Sequence, residues 1–130
     1  MSYTNEDLTR KYQYHYTYLI TNLSPIDSRK FYVGVRSCNV NPFEDSYMGS
    51  SKKLKSHIEV QGLSNFTKKI IHVYKDRDSA AMNERALFKK FGCGASALFY
   101  NETKDGKTFS NSNLGYTRKT MNNLYHKGKF

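Results

Sequence analysis

From His15 to Asn22 the chain reads HYTYLITN, an aromatic and β-branched run that predicts a strand. Tyr14, Tyr16 and Tyr18 alternate along it and fall on one face. Leu23 to Lys30 holds Ser24-Pro25 and Asp27-Ser28, which is turn chemistry, and Lys30 to Arg36 (KFYVGVR) predicts a second strand. The two form a hairpin with a loop longer than the minimum. Cys38 to Tyr47, with Asn39, Asn41-Pro42 and Glu44-Asp45, predicts an irregular connection. Gly49-Ser50-Ser51 then supplies N-cap candidates for a helix through about Gln61, stopped by Gly62. Phe66 to Tyr74 (FTKKIIHVY) predicts the third strand. Asp78-Ser79 starts a second helix that runs to about Phe91 and meets Gly92 at its C′ position.

The ends differ from this middle. Residues 1–13 are polar and are expected to form a frayed N-terminal arm. After Tyr100-Asn101, apolar periodicity disappears and Gly, Ser, Asn, Thr and Lys dominate. Six Lys/Arg face one Asp between Lys104 and Phe130, which predicts a basic, flexible tail over 104–130. The domain is expected over 14–103. Its ββαβα core is α+β: a small, mostly antiparallel three-stranded sheet flanked by helices.

Composition narrows the classes. A chain of 130 residues accommodates one domain with one modest core, and 38% hydrophobic with 25% charged residues suits a globular chain. No stretch approaches the roughly 18–20 apolar residues that span a bilayer. Met1 to Asp7 carries neither the basic nor the apolar region of a secretory signal, so a cytoplasmic protein with no membrane partner is expected. Cys38 and Cys93 have no zinc-ligand spacing and read as two free thiols. The charge changes the picture most. Twenty-one Lys+Arg against eleven Asp+Glu give a net +10, which favours a polyanionic partner through counterion release.

Glu84 is the most informative single residue. Ala80, Leu87, Phe88 and Phe91 lie at i−4, i+3, i+4 and i+7 from it, so its carboxylate belongs on or beside the apolar face of the second helix. An unpaired carboxylate there is costly, and a metal ion and a structural ion pair are equally good partners. Gly34 inside the second strand marks a bulge or a close backbone approach, and Arg36 shares a sheet face with Tyr32 and Gly34. A tyrosine beside a cation on an adjacent strand makes a base, because positive charge lowers a phenol pKa. Ser50, Ser51, Lys52, Lys53 and Lys55 gather at the start of the first helix, where free N–H groups and lysines favour phosphate. His15, His57, His72 and His126 have no ligand spacing and read as structural or exposed; His57 lies below the lysine cluster.

Taken in order, these residues resemble the GIY-YIG nuclease superfamily, especially phage homing endonucleases. The segment Tyr16 to Asn22 is similar to the family's first strand, and Tyr32-Val33-Gly34 to its second triad. Tyr47-Met48-Gly49-Ser50-Ser51, Lys53-Leu54-Lys55, Gly62 and Asn65-Phe66 resemble a stretch common in phage members. Glu84 falls at the metal-binding glutamate and Tyr100-Asn101 at the closing pair, so the likeness covers about residues 14–101.

The resemblance implies a DNA endonuclease in the host cytoplasm using Mg2+ (or Mn2+), one ion per active site, held by Glu84. It implies that Tyr18 activates the attacking water, Tyr32 assists, Arg36 supplies a cation and Asn101 orders the site. Ser50, Lys52, Lys53, Lys55, Arg118 and Lys119 are then the DNA-phosphate contacts, and a homodimer would serve double-strand cutting. The chain departs from the family where Tyr16-Thr17-Tyr18 replaces Gly-Ile-Tyr, and where Cys38 to Tyr47 contains no Arg. The alternative reading is a catalytically inactive nucleic-acid-binding module of the same fold; a basic protein-binding phage protein is a third.

Overall fold

A computed structural model describes residues 4–25, 29–93 and 98–101. Three strands, β1 (Tyr14–Asn22), β2 (Phe31–Cys38) and β3 (Phe66–Tyr74), form one sheet in the order β2-β1-β3, antiparallel throughout. Helices α1 (Asn5–Lys11), α2 (Lys52–Gln61) and α3 (Arg77–Phe91) complete an α+β fold, with single 3-10 turns at Pro42–Glu44 and Leu63–Asn65. Among the described residues no helix is long and apolar enough to cross a membrane.

β1 is the central strand and is buried from His15 to Asn22. Its alternation therefore sorts residues between two covered faces instead of between core and water. Tyr16, Tyr18 and Ile20 join Cys38, Leu54, Phe66 and Tyr100 in a core under α2. On the other face Leu19, Phe31 and Val33 pack against Leu87, Phe91, Cys93 and Phe99 under α3. Both cysteines are free and buried. The β1/β3 register shifts between Thr17 and Tyr18, a β-bulge midway along the pairing.

Two expectations need correction. The N-terminal segment is helical from Asn5, because Thr4 caps it: Asp7 N–H donates to Thr4 Oγ1, and Asp7 accepts from the Thr4 amide. This short helix docks on α3 through Asn5 to Asp78 (2.8 Å) and through the Arg77 amide to Thr9 Oγ1 (2.9 Å). It is thus part of the domain. Secondly, α3 begins at Arg77, one residue earlier than Asp78-Ser79 suggests. Asp76 is the N-cap and accepts from the Ser79 amide at 2.7 Å. That shift brings Arg77 onto the helix. The tail over 104–130, with Arg118 and Lys119, lies outside the described residues.

Candidate active site and nucleic-acid cleft

β1 and β2 together place three tyrosines on the α2 face. Tyr18 sits opposite Gly34 in the ladder, and its ring lies across the space a side chain at Gly34 would fill. A Cβ on Gly34 would stand 2.8 Å from Tyr18 Cε1 and closer still to Cζ and Oη. Glycine is therefore required here for close approach and not for φ. Gly49 does both jobs: its φ is +95°, and a Cβ there would meet Tyr32 at 2.8 Å and the Tyr18 hydroxyl at 3.3 Å. Tyr32 (ring centroids 6.2 Å) and Tyr47 (6.3 Å, edge-on) flank the Tyr18 ring. The Tyr18 hydroxyl has no hydrogen-bond partner among the described residues, and the side chain is buried.

The cation expected beside Tyr18 is committed elsewhere. Arg36 faces Tyr16 in the ladder, donates from Nε to Asp45 (3.1 Å), and lies 4.2 Å above the Tyr47 ring. Asp45 also accepts from the Tyr16 hydroxyl (2.6 Å) and the Tyr47 amide (3.3 Å). Lys68, half-buried on β3, spends its three protons on the Tyr16 hydroxyl and the Asp45 and Tyr47 carbonyls. Burial pushes the Asp45 carboxyl upward, but the Tyr16 and Arg36 donors outweigh it and hold it below its ordinary value. Burial also pushes the Tyr18 phenol up, reinforced by the neighbouring Tyr32, Tyr47 and Tyr16 and by Glu84. The direction at Tyr18 is thus upward, opposite to the lowered phenol expected beside a cation.

This network fixes the loop between β2 and α2, so Asp45→Ala is expected to cost stability. It leaves the Arg36 guanidinium without its carboxylate and the Tyr16 hydroxyl without its acceptor. Discounting for the partial exposure of Arg36, the loss should be about 2–3 kcal/mol in denaturant unfolding. The pH dependence has a definite sign. Asp45 titrates lower folded than unfolded, so its contribution is present above about pH 4 and is lost as pH falls through the folded value. The variant should lack that acid limb.

On the same face, a cleft of about 480 Å3 is lined by Tyr32, Ser50, Ser51, Lys52, Lys53, Tyr100 and Asn101. Ser51 caps α2 by accepting from the Leu54 amide (3.2 Å), and the first turn carries Lys52 and Lys53 with no acidic residue. Tyr32 and Ser50 hydroxyls meet at 3.2 Å. Asn101 holds the outer edge of β2: its Oδ1 accepts from Val33 N–H (3.0 Å) and its Nδ2 donates to Val33 O (2.7 Å). Its side chain thus continues the pairing that Phe99 begins opposite Phe31. Asn101 positions β2. Behind the cleft the Tyr100 hydroxyl binds His57 Nδ1 (2.7 Å) and Asn22 Nδ2 (3.0 Å), so His57 is structural. Lys55 is exposed on α2 but does not line the cleft.

Glu84 enters from α3. Ala80, Leu87 and Phe91 around it are buried, yet its carboxylate makes no hydrogen bond or ion pair among the described residues. A structural ion pair, one of the two partners the sequence allows, is therefore not formed. Burial raises its pKa, with Arg77 and then Arg85 opposing. No cluster of three or more His, Cys, Asp or Glu exists among the described residues. One desolvated carboxylate without a partner suits a hard, water-retaining cation such as Mg2+, which needs few protein ligands, and does not suit zinc. Five of the sequence-derived residues thus share one cleft, the Tyr18 ring lies 6.2 Å from that of Tyr32, and Glu84 is on α3. Arg36 stands apart.

The chain is similar to curated proteins of Enterobacteria phage T4. It is 40% identical to endonuclease segA over 75 residues, 58% of this chain and 32% of segA. It is 38% identical over 74 residues to segB, covering 57% of this chain and 31% of segB, and 34% identical to segE over 74 residues, covering 34% of segE. The names of segB and segE carry the endonuclease designation provisionally. The chain spans about a third of the length of these relatives. No family model matches it, and no solved structure does.

Proposed function

We propose that this chain is a divalent-metal-dependent DNA endonuclease domain of the GIY-YIG type, of a kind carried by phages. The observation that carries the reading is the fit of the Tyr18 ring across Gly34, on the face that holds the lysine-lined cleft. On α3, Glu84 adds a carboxylate with no hydrogen bond or ion pair among the described residues. Binding DNA by charge alone requires neither group. The likeness to endonuclease segA supports the same reading.

Each residue then has a task. Glu84 would hold Mg2+ (or Mn2+), one ion per site, and that ion supplies charge neutralisation at the phosphate and the leaving oxygen. Tyr18, protonated in the free protein, orients the attacking water through its oxygen, with Tyr32 and Ser50 alongside. Lys52 and Lys53, at the α2 N-terminus, hold a neighbouring phosphate. Asn101 keeps β2, and so Tyr32 and Gly34, in place. One centre cuts one strand; double-strand cutting calls for a second copy.

The test is cleavage of supercoiled plasmid with Mg2+ and with EDTA. Nicking or linearisation that EDTA abolishes is expected. Binding without cleavage in either condition would turn the reading to an inactive nucleic-acid-binding module. A separate expectation concerns the cleft. Replacing Lys52 and Lys53 with Ala should reduce the slope of log affinity against log salt by roughly 0.9 for each phosphate that is no longer neutralised. An unchanged slope would remove the cleft from the DNA interface.

A further inference from the structure

The geometry points to Arg77 on α3, and not Arg36 on β2, as the cation that faces the scissile phosphate. This assignment rests on the nuclease reading and goes beyond it in naming a residue outside the motifs that carry the resemblance.

Two observations converge. Arg36 has its Nε on Asp45 and its guanidinium flat on the Tyr47 ring, so recruiting it would break the network that fixes the β2–α2 loop. Arg77 is differently placed. Its Nη1 donates to Ser37 Oγ on β2 at 2.9 Å, its Nε is buried with no partner, and its Nη2 makes no hydrogen bond among the described residues. An arginine half-buried with most of its donor fork unused is an uncompensated cost unless an anion completes it. Arg77 and Glu84 lie seven residues apart on α3, two turns along the same face, and no ion pair joins them. Of the charges acting on Arg77, Glu84 comes first, followed by Tyr18 and Tyr47. The guanidinium thus lies on the α3 face that carries Glu84, the residue assigned to the metal.

Its position is also built. Because Arg77 can only donate, Ser37 Oγ accepts from it, and the same oxygen shares a hydrogen bond with His15 Nδ1 (2.7 Å). Burial and then the Arg77 charge lower the His15 pKa, against the opposing pull of the Tyr12 backbone and Asp76. The Arg77 amide is held by Thr9 of α1. A planar fork fixed at one nitrogen and open at another suits a phosphate oxygen, and a fixed cation there stabilises charge that develops in the transition state.

The experiment uses the full chain and takes Mg2+-dependent cleavage by the unaltered protein as its starting condition; absence of that activity would count against the nuclease reading and not against this assignment. Arg77→Gln keeps a donor for Ser37 and removes the charge. It should lower kcat about 100-fold or more with KM and the melting curve near those of the parent. Arg77→Lys should recover part of the loss, and guanidinium ion added to Arg77→Ala should restore cleavage at least several-fold. If Arg77→Gln does not fold, the Lys variant and the rescue of the Ala variant carry the test. Arg77→Gln cutting within about threefold of the parent, a loss confined to KM, or no rescue by guanidinium would each overturn the assignment.

Discussion

Glu84→Gln is expected to abolish cleavage, by about 10^3-fold or more, and at the same time to raise the melting temperature in EDTA. The two effects share one cause. The carboxylate is desolvated against the α3 face and has no partner among the described residues, so ionising it costs the fold something that an amide does not. The gain should be about 2–5 °C for a domain of this size. DNA binding at low salt should survive, since Lys52 and Lys53 do not depend on Glu84. A variant that cuts like the parent would remove Glu84 as the metal ligand. A variant that loses both cleavage and stability would mean that the carboxylate is structural.

The pH dependence of that stability gain separates burial from other causes. Glu84 titrates higher folded than unfolded, so below about pH 4.5 both states hold the proton and Glu and Gln should be equally compatible with the fold. As pH rises, the unfolded chain ionises first, and the penalty on the folded protein grows until pH passes the folded value, after which it is constant. The difference in melting temperature between variant and parent should therefore open on the alkaline side of pH 4.5 and vanish on the acid side. A difference independent of pH would point to packing, not charge.

The scaffold was legible in the sequence because its signals are local. FTKKIIHVY spans β3 from end to end, and Ser51 and Gly62 bracket α2. Glu84 stood out because the apolar residues around it follow the helical period. The cation did not, for two physical reasons. Arg36 has the right position in a motif, but its fate depends on Asp45, nine residues on in a loop without periodicity. Arg77 lies on the helix because Asp76 caps α3, which starts one residue ahead of Asp78-Ser79 and takes Arg77 from loop to helix. Lys68 was equally hidden: its half-burial comes from carbonyls of a loop that no pattern in β3 foretells. The helix α1 was missed because a single capping box in a polar segment is a weak signal until α3 is there to receive it.

Gly34→Ala should then be the most damaging small substitution in the sheet. Gly34 lies in β2 with ordinary extended backbone, so alanine meets no conformational penalty there, and by backbone entropy alone would stabilise the strand by roughly 0.5–1 kcal/mol. The contact decides the sign. The new methyl would stand 2.8 Å from Tyr18 Cε1 and nearer its Cζ and Oη, and the ring cannot yield easily because Tyr16, Tyr32 and Tyr47 crowd around it. Overpacking of this kind costs about 1–3 kcal/mol, so the net effect should be destabilising. The functional loss should be larger. Displacing the Tyr18 hydroxyl by about 1 Å costs on the order of 100-fold in rate where a water must be aligned. Tyr18→Phe in the Gly34→Ala background should add little further loss, because the hydroxyl is already out of position. If Gly34→Ala folds, melts near the parent and cuts at the parental rate, then the close approach of Tyr18 to β2 is packing alone, and the water-orienting role must pass to Tyr32.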